Sequence, residues 1–383
     1  MRDGRPLPEI AAQLKQIADT KRDYLADTRA LSFEHQEEDT FAFNMRLAGT
    51  DLPLTDHAHR QLGTHVGIPQ PYYDRMRSEA PELLEDNVSH WLDTNPTRRL
   101  VRALGGQTRA YLSDSYRVLD NYDLAEAVLP TLAERGVEVR STEITDTRFY
   151  IKGIAKNFEQ PLKVGDAVRL GIYIANSEIG LGSLQIHPYV ETLSCTNGMT
   201  VMQKDAETDL SLQKRHLGRK QAGEEGQVVS WISDEAREAD DRAFWLSARD
   251  LVTGMLTRAG LATIVEKING AADKKIEKPV MQAVEVTADR FSLTESEQGS
   301  VLEHLVRGND LSAWGLSSAI TRTADEVESY DRASELEAMG WKVIELPRQQ
   351  WTSIAAGVNT ALKKQSSTAS PSTRKKRPRA TGN

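Results

Sequence analysis

The 383-residue chain contains one cysteine, Cys195. A lone thiol excludes an intrachain disulfide framework and any zinc site built on paired cysteines. Long apolar runs are also missing, since none approaches the roughly 18 consecutive apolar residues of a membrane span. The opening Met1-Arg2-Asp3-Gly4-Arg5-Pro6 leads into charged sequence without the apolar core of a secretion signal. The expectation is a soluble, cytoplasmic protein. No Gly-x-x-x-x-Gly-Lys-Ser/Thr loop occurs, which excludes a P-loop nucleotidase. Gly180-Leu181-Gly182 is too short for a dinucleotide fingerprint and leads into a strand rather than a helix. Acidic residues are plentiful, but no spacing isolates a two-metal nuclease set. No cofactor is expected, and an enzymatic role is disfavoured.

Hydrophobic residues make up 39 % of the chain, enough to bury a core. The net charge of −8 is unevenly spread. Seven basic residues and no acid lie in 363–383: Lys363, Lys364, Arg374, Lys375, Lys376, Arg377 and Arg379. The rest of the chain then holds 41 of the 48 basic residues against all 56 acids, a net −15. The Ser-, Thr- and Pro-rich composition of 363–383 predicts a disordered basic tail. A cationic tail on an acidic body seeks polyanions, with nucleic acid the commonest. Its Arg-Lys-Lys-Arg cluster is also similar to a nuclear-localisation signal.

Patterning predicts an α+β fold: a central antiparallel sheet flanked by N-terminal and C-terminal helical regions. Residues 1–100 read as helical, with a first helix over 7–30 carrying Ile10, Leu14, Ile17, Tyr24 and Leu25 at helical spacing. Residues 101–228 read as the sheet and a following polar loop, with Asn-Gly and Gly signals between alternating runs. Residues 229–362 read as helical again, apart from a short strand at Trp341–Leu346. Thr294 and Glu297 form a capping box, and Gly340 reads as a C-cap.

Three local clusters invite functional readings. The stretch 55–78 has a helix-turn-helix layout, with Gly67 in the turn and Gln70, Asp74, Arg75 and Arg77 presented by the second helix. His57, His59 and His65 do not converge on a helix, positions 57 and 59 pointing about 200° apart, so they read as solvent-facing and not as metal ligands. Cys195 lacks a local nucleophile signature and reads as a small buried residue.

The central strands carry the main functional expectation. Split by period two, Gln107–Ser113 places Arg109 and Tyr111 on one face. Arg148–Gly153 places Arg148, Tyr150 and Lys152 there, Ala167–Ala175 places Arg169 and Tyr173, and Ser183–Leu193 places His187 and Tyr189. The opposite faces are apolar. Tyrosines stack bases at about 1–3 kcal/mol each, with cations holding phosphates between them. Exposed bases favour single strands over duplex. The segment Lys214-Arg215-His216-Leu217-Gly218-Arg219-Lys220 adds a basic loop.

Arg109-Ala110-Tyr111-Leu112-Ser113-Asp114-Ser115-Tyr116-Arg117-Val118-Leu119-Asp120, Ile174-Ala175-Asn176-Ser177-Glu178-Ile179-Gly180, Ser194-Cys195-Thr196-Asn197-Gly198-Met199 and Arg215-His216 occur in that order. This order resembles the phage- and plasmid-like proteins grouped as domain of unknown function 932. Trp314-Gly315-Leu316-Ser317-Ser318-Ala319-Ile320-Thr321 resembles their helical end. The resemblance implies a mobile-element origin, which favours DNA handling, and it carries over no catalytic residue.

The expectation is therefore a non-enzymatic nucleic-acid-binding protein favouring single-stranded DNA, as a self-associating recombination or annealing accessory. Its contacts would come from Arg109, Tyr111, Arg148, Tyr150, Lys152, Arg169, Tyr173, Tyr189, Lys214, Arg215, His216, Arg219 and Lys220, with Arg374, Lys375, Lys376 and Arg377 in the tail. Two alternatives are a duplex regulator using 55–78, and an acidic interaction module that inhibits a host DNA-processing enzyme.

Overall fold

The computed structural model describes residues 3–36, 40–45, 50–193, 197–202, 212–214, 234–277 and 279–357. The architecture is α+β, with an antiparallel central sheet between helical layers. The basic tail lies outside the described residues.

The N-terminal part mixes strands with the expected helices. Helix α1 (Leu7–Thr20) is followed by strands β1 (Arg22–Asp27), β2 (Leu31–His35), β3 (Phe41–Met45) and β4 (Thr50–Pro53). Helices α2 (Asp56–Val66), α3 (Gln70–Glu79) and α4 (Pro81–Thr94) come next, then β5 (Arg98–Leu104) and β6 (Gln107–Ser113). Two small sheets form, in the orders β2-β3-β4 and β1-β5-β6. Tyr24 and Leu25 therefore lie in a strand, in register with Val101 and Leu100, and not in the first helix. Phe33, Phe41 and Phe43 pack with Leu62, Tyr73 and Val88 into a local core.

Helix α5 (Asn121–Glu134) leads into the central sheet of β7 (Val137–Ile144), β8 (Phe149–Pro161), β9 (Ala167–Asn176), β10 (Leu184–Thr192), β11 (Gly198–Thr200) and β12 (Leu212–Lys214). The path runs β11-β10-β9-β8-β7, with β12 also pairing β10. One face buries Phe149, Ile151, Leu170, Ile172, Ile174, Ile186 and Val190, in one cluster with residues of α1, α5 and α6 (Asp234–Met255).

The described residues close with α7 (Arg258–Ala272), α8 (Val280–Phe291), α9 (Glu295–Gly308), α10 (Ala313–Thr323), α11 (Tyr330–Ile344) and α12 (Arg348–Ala355). The Thr294/Glu297 capping box is present at the start of α9. Gly340 is not a C-cap, because α11 continues to Ile344. A Cβ at Gly340 would lie 2.3 Å from Thr321 Cγ2, so its lack of a side chain lets α10 and α11 cross closely. The expected strand at Trp341–Leu346 is likewise helical as far as Ile344. Its alternation arose because α11 is buried on more than one side, with Trp341 and Val343 both fully inaccessible.

Candidate nucleic-acid interface

Strand register assembles the expected tyrosine face. Across the sheet, Ser141 is in register with Lys152, Lys152 with Tyr173, and Tyr173 with His187. Tyr150 and Tyr189 lie on the same face by alternation. That face is covered by α11. Tyr150, Tyr173 and Tyr189 are 2 %, 4 % and 0 % exposed. The Lys152 ammonium pairs with Glu337 Oε2 at 2.7 Å, both side chains fully buried, and stands 4.5 Å from the Tyr330 ring centre. Tyr189 donates to Glu337 Oε1 at 3.0 Å. Tyr150 donates to Asp331 Oδ1 at 2.8 Å, and Thr145 donates to the same oxygen at 2.9 Å. The Ser141 and Tyr330 hydroxyls meet at 2.6 Å. Burial pushes all three phenols far above their ordinary pKa, so they remain protonated donors.

The stacking role expected of Tyr150, Tyr173 and Tyr189, and the phosphate role of Lys152, are therefore corrected for this closed arrangement. No base can reach rings sealed under a helix. Period two identified the polar face correctly, but periodicity cannot say whether a polar face meets water or a second polar layer.

Tyr111 and Arg109 belong to the separate β1-β5-β6 sheet and do not join that face. The Tyr111 ring is 1 % exposed, 4.7 Å beneath the Arg99 guanidinium, with its hydroxyl 3.0 Å from His65 Nδ1. Arg109 donates to Glu178 Oε2 at 2.7 Å, and Arg169 donates to Glu159 Oε2 at 3.0 Å. Both guanidinium groups are thus matched by a carboxylate. Arg215, His216, Arg219, Lys220, Arg374, Lys375, Lys376, Arg377 and Cys195 lie outside the described residues.

Basic positions on α2, in the turn before β8 and on β12 lie at one corner of the sheet, around the loop 177–183. Arg148, immediately before β8, donates from Nη2 to the Leu181 carbonyl at 3.0 Å. Its guanidinium lies over Gly182, where a Cβ would be 2.6 Å away. Lys214 on β12 is in register with Leu184, immediately after the loop. From α2, His57 Nε2 and Gln61 Nε2 each donate to the Ile179 carbonyl at 2.8 Å. Arg60, between them in sequence, is exposed and near enough to His57 to oppose a charge there.

The three histidines are not the solvent-facing groups their spacing suggested. His59 is 1 % exposed, with Nδ1 2.8 Å from the Tyr73 hydroxyl. His65 is held between Tyr111 and Thr97. Burial holds His59 down to a pKa of about 3 and His65 down to about 4. The helical hairpin at 55–78 is present, with Gly67 at φ 75° in its turn. Its proposed readers are occupied: Gln70 donates to Asp74, Arg75 to Glu79 and Arg77 to Asp56.

A buried charge network was invisible in the spacing. Arg102 is fully buried and donates to Asp23 at 2.9 Å, to Asp120 at 2.6 Å and to the Glu178 carbonyl at 2.9 Å. Lys21 also pairs with Asp120, and Glu178 accepts from the Asn121 amide. Asn176 donates to Asn121 at 2.9 Å and to the Leu119 carbonyl at 2.8 Å. The stretches 109–120 and 174–180 thus fasten the β1-β5-β6 sheet to the central sheet. A second joint links Asn197 to Thr321 at 2.5 Å and Ser317 to the Met199 sulfur at 3.4 Å. The signal available in sequence was Arg102 itself, a charge within the apolar run of β5. No family model matches the chain, and no curated protein and no solved structure is significantly similar to it.

Proposed function

We propose that the protein is a non-enzymatic nucleic-acid-binding protein that holds phosphates through the cationic corner at 177–183, the adjoining run 214–220 and the basic tail. The observation that carries this reading is the placement of Arg148 on the Leu181 carbonyl, of Arg60 beside His57 and of position 214 in register with Leu184, all at the loop 177–183, on a chain that carries a net −15 outside 363–383. Cations from separate elements can follow a flexible phosphate backbone without reading base identity. The tail raises encounter rate and nonspecific affinity. Annealing or recombination fits a binder of this kind.

The test is fluorescence anisotropy of a labelled thymidine oligonucleotide with the full chain over a salt series. Affinity should fall linearly with salt on logarithmic axes. Replacing Arg374, Lys375, Lys376 and Arg377 with Ala should flatten the slope by up to roughly 3, from about 0.7 per phosphate on a single strand. Arg60→Glu should weaken binding further. Absence of binding at low salt, or a slope untouched by both changes, overturns the reading.

A further inference from the structure

We propose that Arg99, Thr97 and His65 form a seat for a single phosphate group, apart from the cationic corner and independent of the nucleic-acid reading. The chemistry is the same whether the group arrives as inorganic phosphate, as a terminal monoester or within a polynucleotide backbone.

Arg99 carries a charge that the protein itself does not answer. Its side chain is part-buried on β5, and Nε is buried without a hydrogen-bond partner. Other guanidinium groups in this part of the chain are each met by a carboxylate: Arg102 by Asp23 and Asp120, Arg109 by Glu178, and Arg117 by Asp241. Among the described residues no carboxylate lies within ion-pair distance of Arg99, and Asp114 acts on it only at longer range. Arg99 rests instead on Tyr111, 4.7 Å from the ring centre. A ring face offsets part of the cost of taking a cation out of water, but it leaves the in-plane Nε–H without an acceptor. Burial accordingly pushes the Arg99 pKa below its ordinary value.

The neighbouring groups are donors, and their hydrogen bonds fix which way they point. Burial keeps the Tyr111 phenol protonated, so its hydroxyl donates to His65 Nδ1 at 3.0 Å. Burial and the nearby Arg99 charge keep His65 neutral, at a pKa of about 4. With Nδ1 accepting, the imidazole proton lies on Nε2, which donates to Thr97 Oγ1 at 3.1 Å. The Thr97 hydroxyl proton is then directed away from the imidazole, on a residue that is exposed. The backbone of Thr97 is pinned as well: its amide donates to Thr28 Oγ1 at 3.1 Å, and its carbonyl accepts from the Thr28 amide at 2.9 Å. Positions 97 and 99 fall on one side of an extended chain by alternation. Arg98 falls on the other, in register with Asp27.

A guanidinium, a hydroxyl donor and an imidazole able to gain a proton call for an anion that only accepts. Phosphate fits better than a carboxylate, because its oxygens diverge tetrahedrally and reach donors on separate elements at once. A phosphate charge beside the imidazole also favours its protonated form and offsets the repulsion from Arg99. Occupancy of this seat therefore carries a proton-linked signature that contacts through arginine and lysine alone lack.

The experiment titrates the full chain, at constant ionic strength, with three probes: inorganic phosphate, a thymidine oligonucleotide bearing a 5′-phosphate, and the same oligonucleotide without it. Calorimetry gives the affinities, and NMR follows the His65 imidazole. Arg99→Gln should weaken binding at the seat on the order of tenfold, and Thr97→Val severalfold. Arg98→Gln, an equal loss of charge on the opposite side, should have the smaller effect. Occupancy should raise the His65 pKa from about 4. Thr97→Val keeps the proposal testable if Arg99→Gln does not fold, since that hydroxyl belongs to an exposed residue. A response confined to inorganic phosphate and the 5′-phosphate assigns a free or terminal group, and a response from both oligonucleotides assigns a backbone phosphodiester; either supports the seat. The proposal is overturned if no probe responds to Arg99→Gln or Thr97→Val more than to Arg98→Gln, or if occupancy leaves the His65 pKa unmoved. Phosphate binding without oligonucleotide binding retains the seat and removes the nucleic-acid reading, whereas salt-dependent oligonucleotide binding with no such response does the reverse.

Discussion

Lys152 and Glu337 offer a quantitative test of the joint between sheet and helix. Their charges lie 2.7 Å apart with no solvent access. At an effective dielectric of about 20 the attraction is about 6 kcal/mol. Desolvation costs several kcal/mol for each ion, so the net contribution of the pair is near zero. Removing one partner is different, because the other is left as an uncompensated buried charge. Lys152→Met should cost about 3–5 kcal/mol, leaving Glu337 with the Tyr189 hydroxyl as its remaining donor. Lys152→Met with Glu337→Leu should be neutral or stabilising by about 1–4 kcal/mol. Urea denaturation followed by circular dichroism, on the wild type, both single variants and the double variant, measures the coupling energy. Single variants within about 1 kcal/mol of wild type, or a double variant as damaged as the singles, would refute the reasoning.

Three further outcomes are expected. His59 stays neutral in the fold down to a pKa of about 3, against an ordinary value of 6.5. Protons therefore favour the unfolded chain, and stability present above pH 6.5 should fall by on the order of 1.4 kcal/mol per pH unit between about pH 6 and 3; His59→Phe, measured by thermal melting over that range, should flatten the dependence. Gly171→Ala would set a Cβ 2.1 Å from the Gly153 carbonyl oxygen, so chemical denaturation should show a loss of about 1–3 kcal/mol from overpacking, and an unchanged midpoint would contradict the tight β8–β9 crossing. Thr294→Ala removes the capping box of α9 and should cost about 1 kcal/mol in the same assay.

The legible parts of the fold were those set by local pattern. The run Gln107–Ser113 forms β6 with those bounds, and the strands expected at Ala167–Ala175 and Ser183–Leu193 are observed as Ala167–Asn176 and Leu184–Thr192. Alternation correctly separated the polar from the apolar face of β8, β9 and β10. Strands β1 to β4 were missed because Tyr24 and Leu25 continue a helical spacing, while Phe33, Phe41 and Phe43 sit in short strands whose core is local. The candidate site was less legible. Lys152 and Tyr150 look like phosphate and base contacts until Glu337 and Asp331 arrive from a distant part of the chain. Arg102 follows Arg98 and Arg99 closely in sequence, and only the packing of two sheets shows it buried. Partner identity over long sequence separation is a tertiary fact that neither period nor composition encodes.

Cross-linking tests the central claim most directly. A single-stranded oligonucleotide carrying photoactivatable thymidine analogues would be bound to the full chain at low salt and irradiated, and the attached peptides mapped. The account expects attachment in peptides holding Arg148, the loop 177–183, residues 214–220 and the tail 363–383. Attachment confined to the α2–α3 hairpin, or to surfaces remote from that corner, would contradict it.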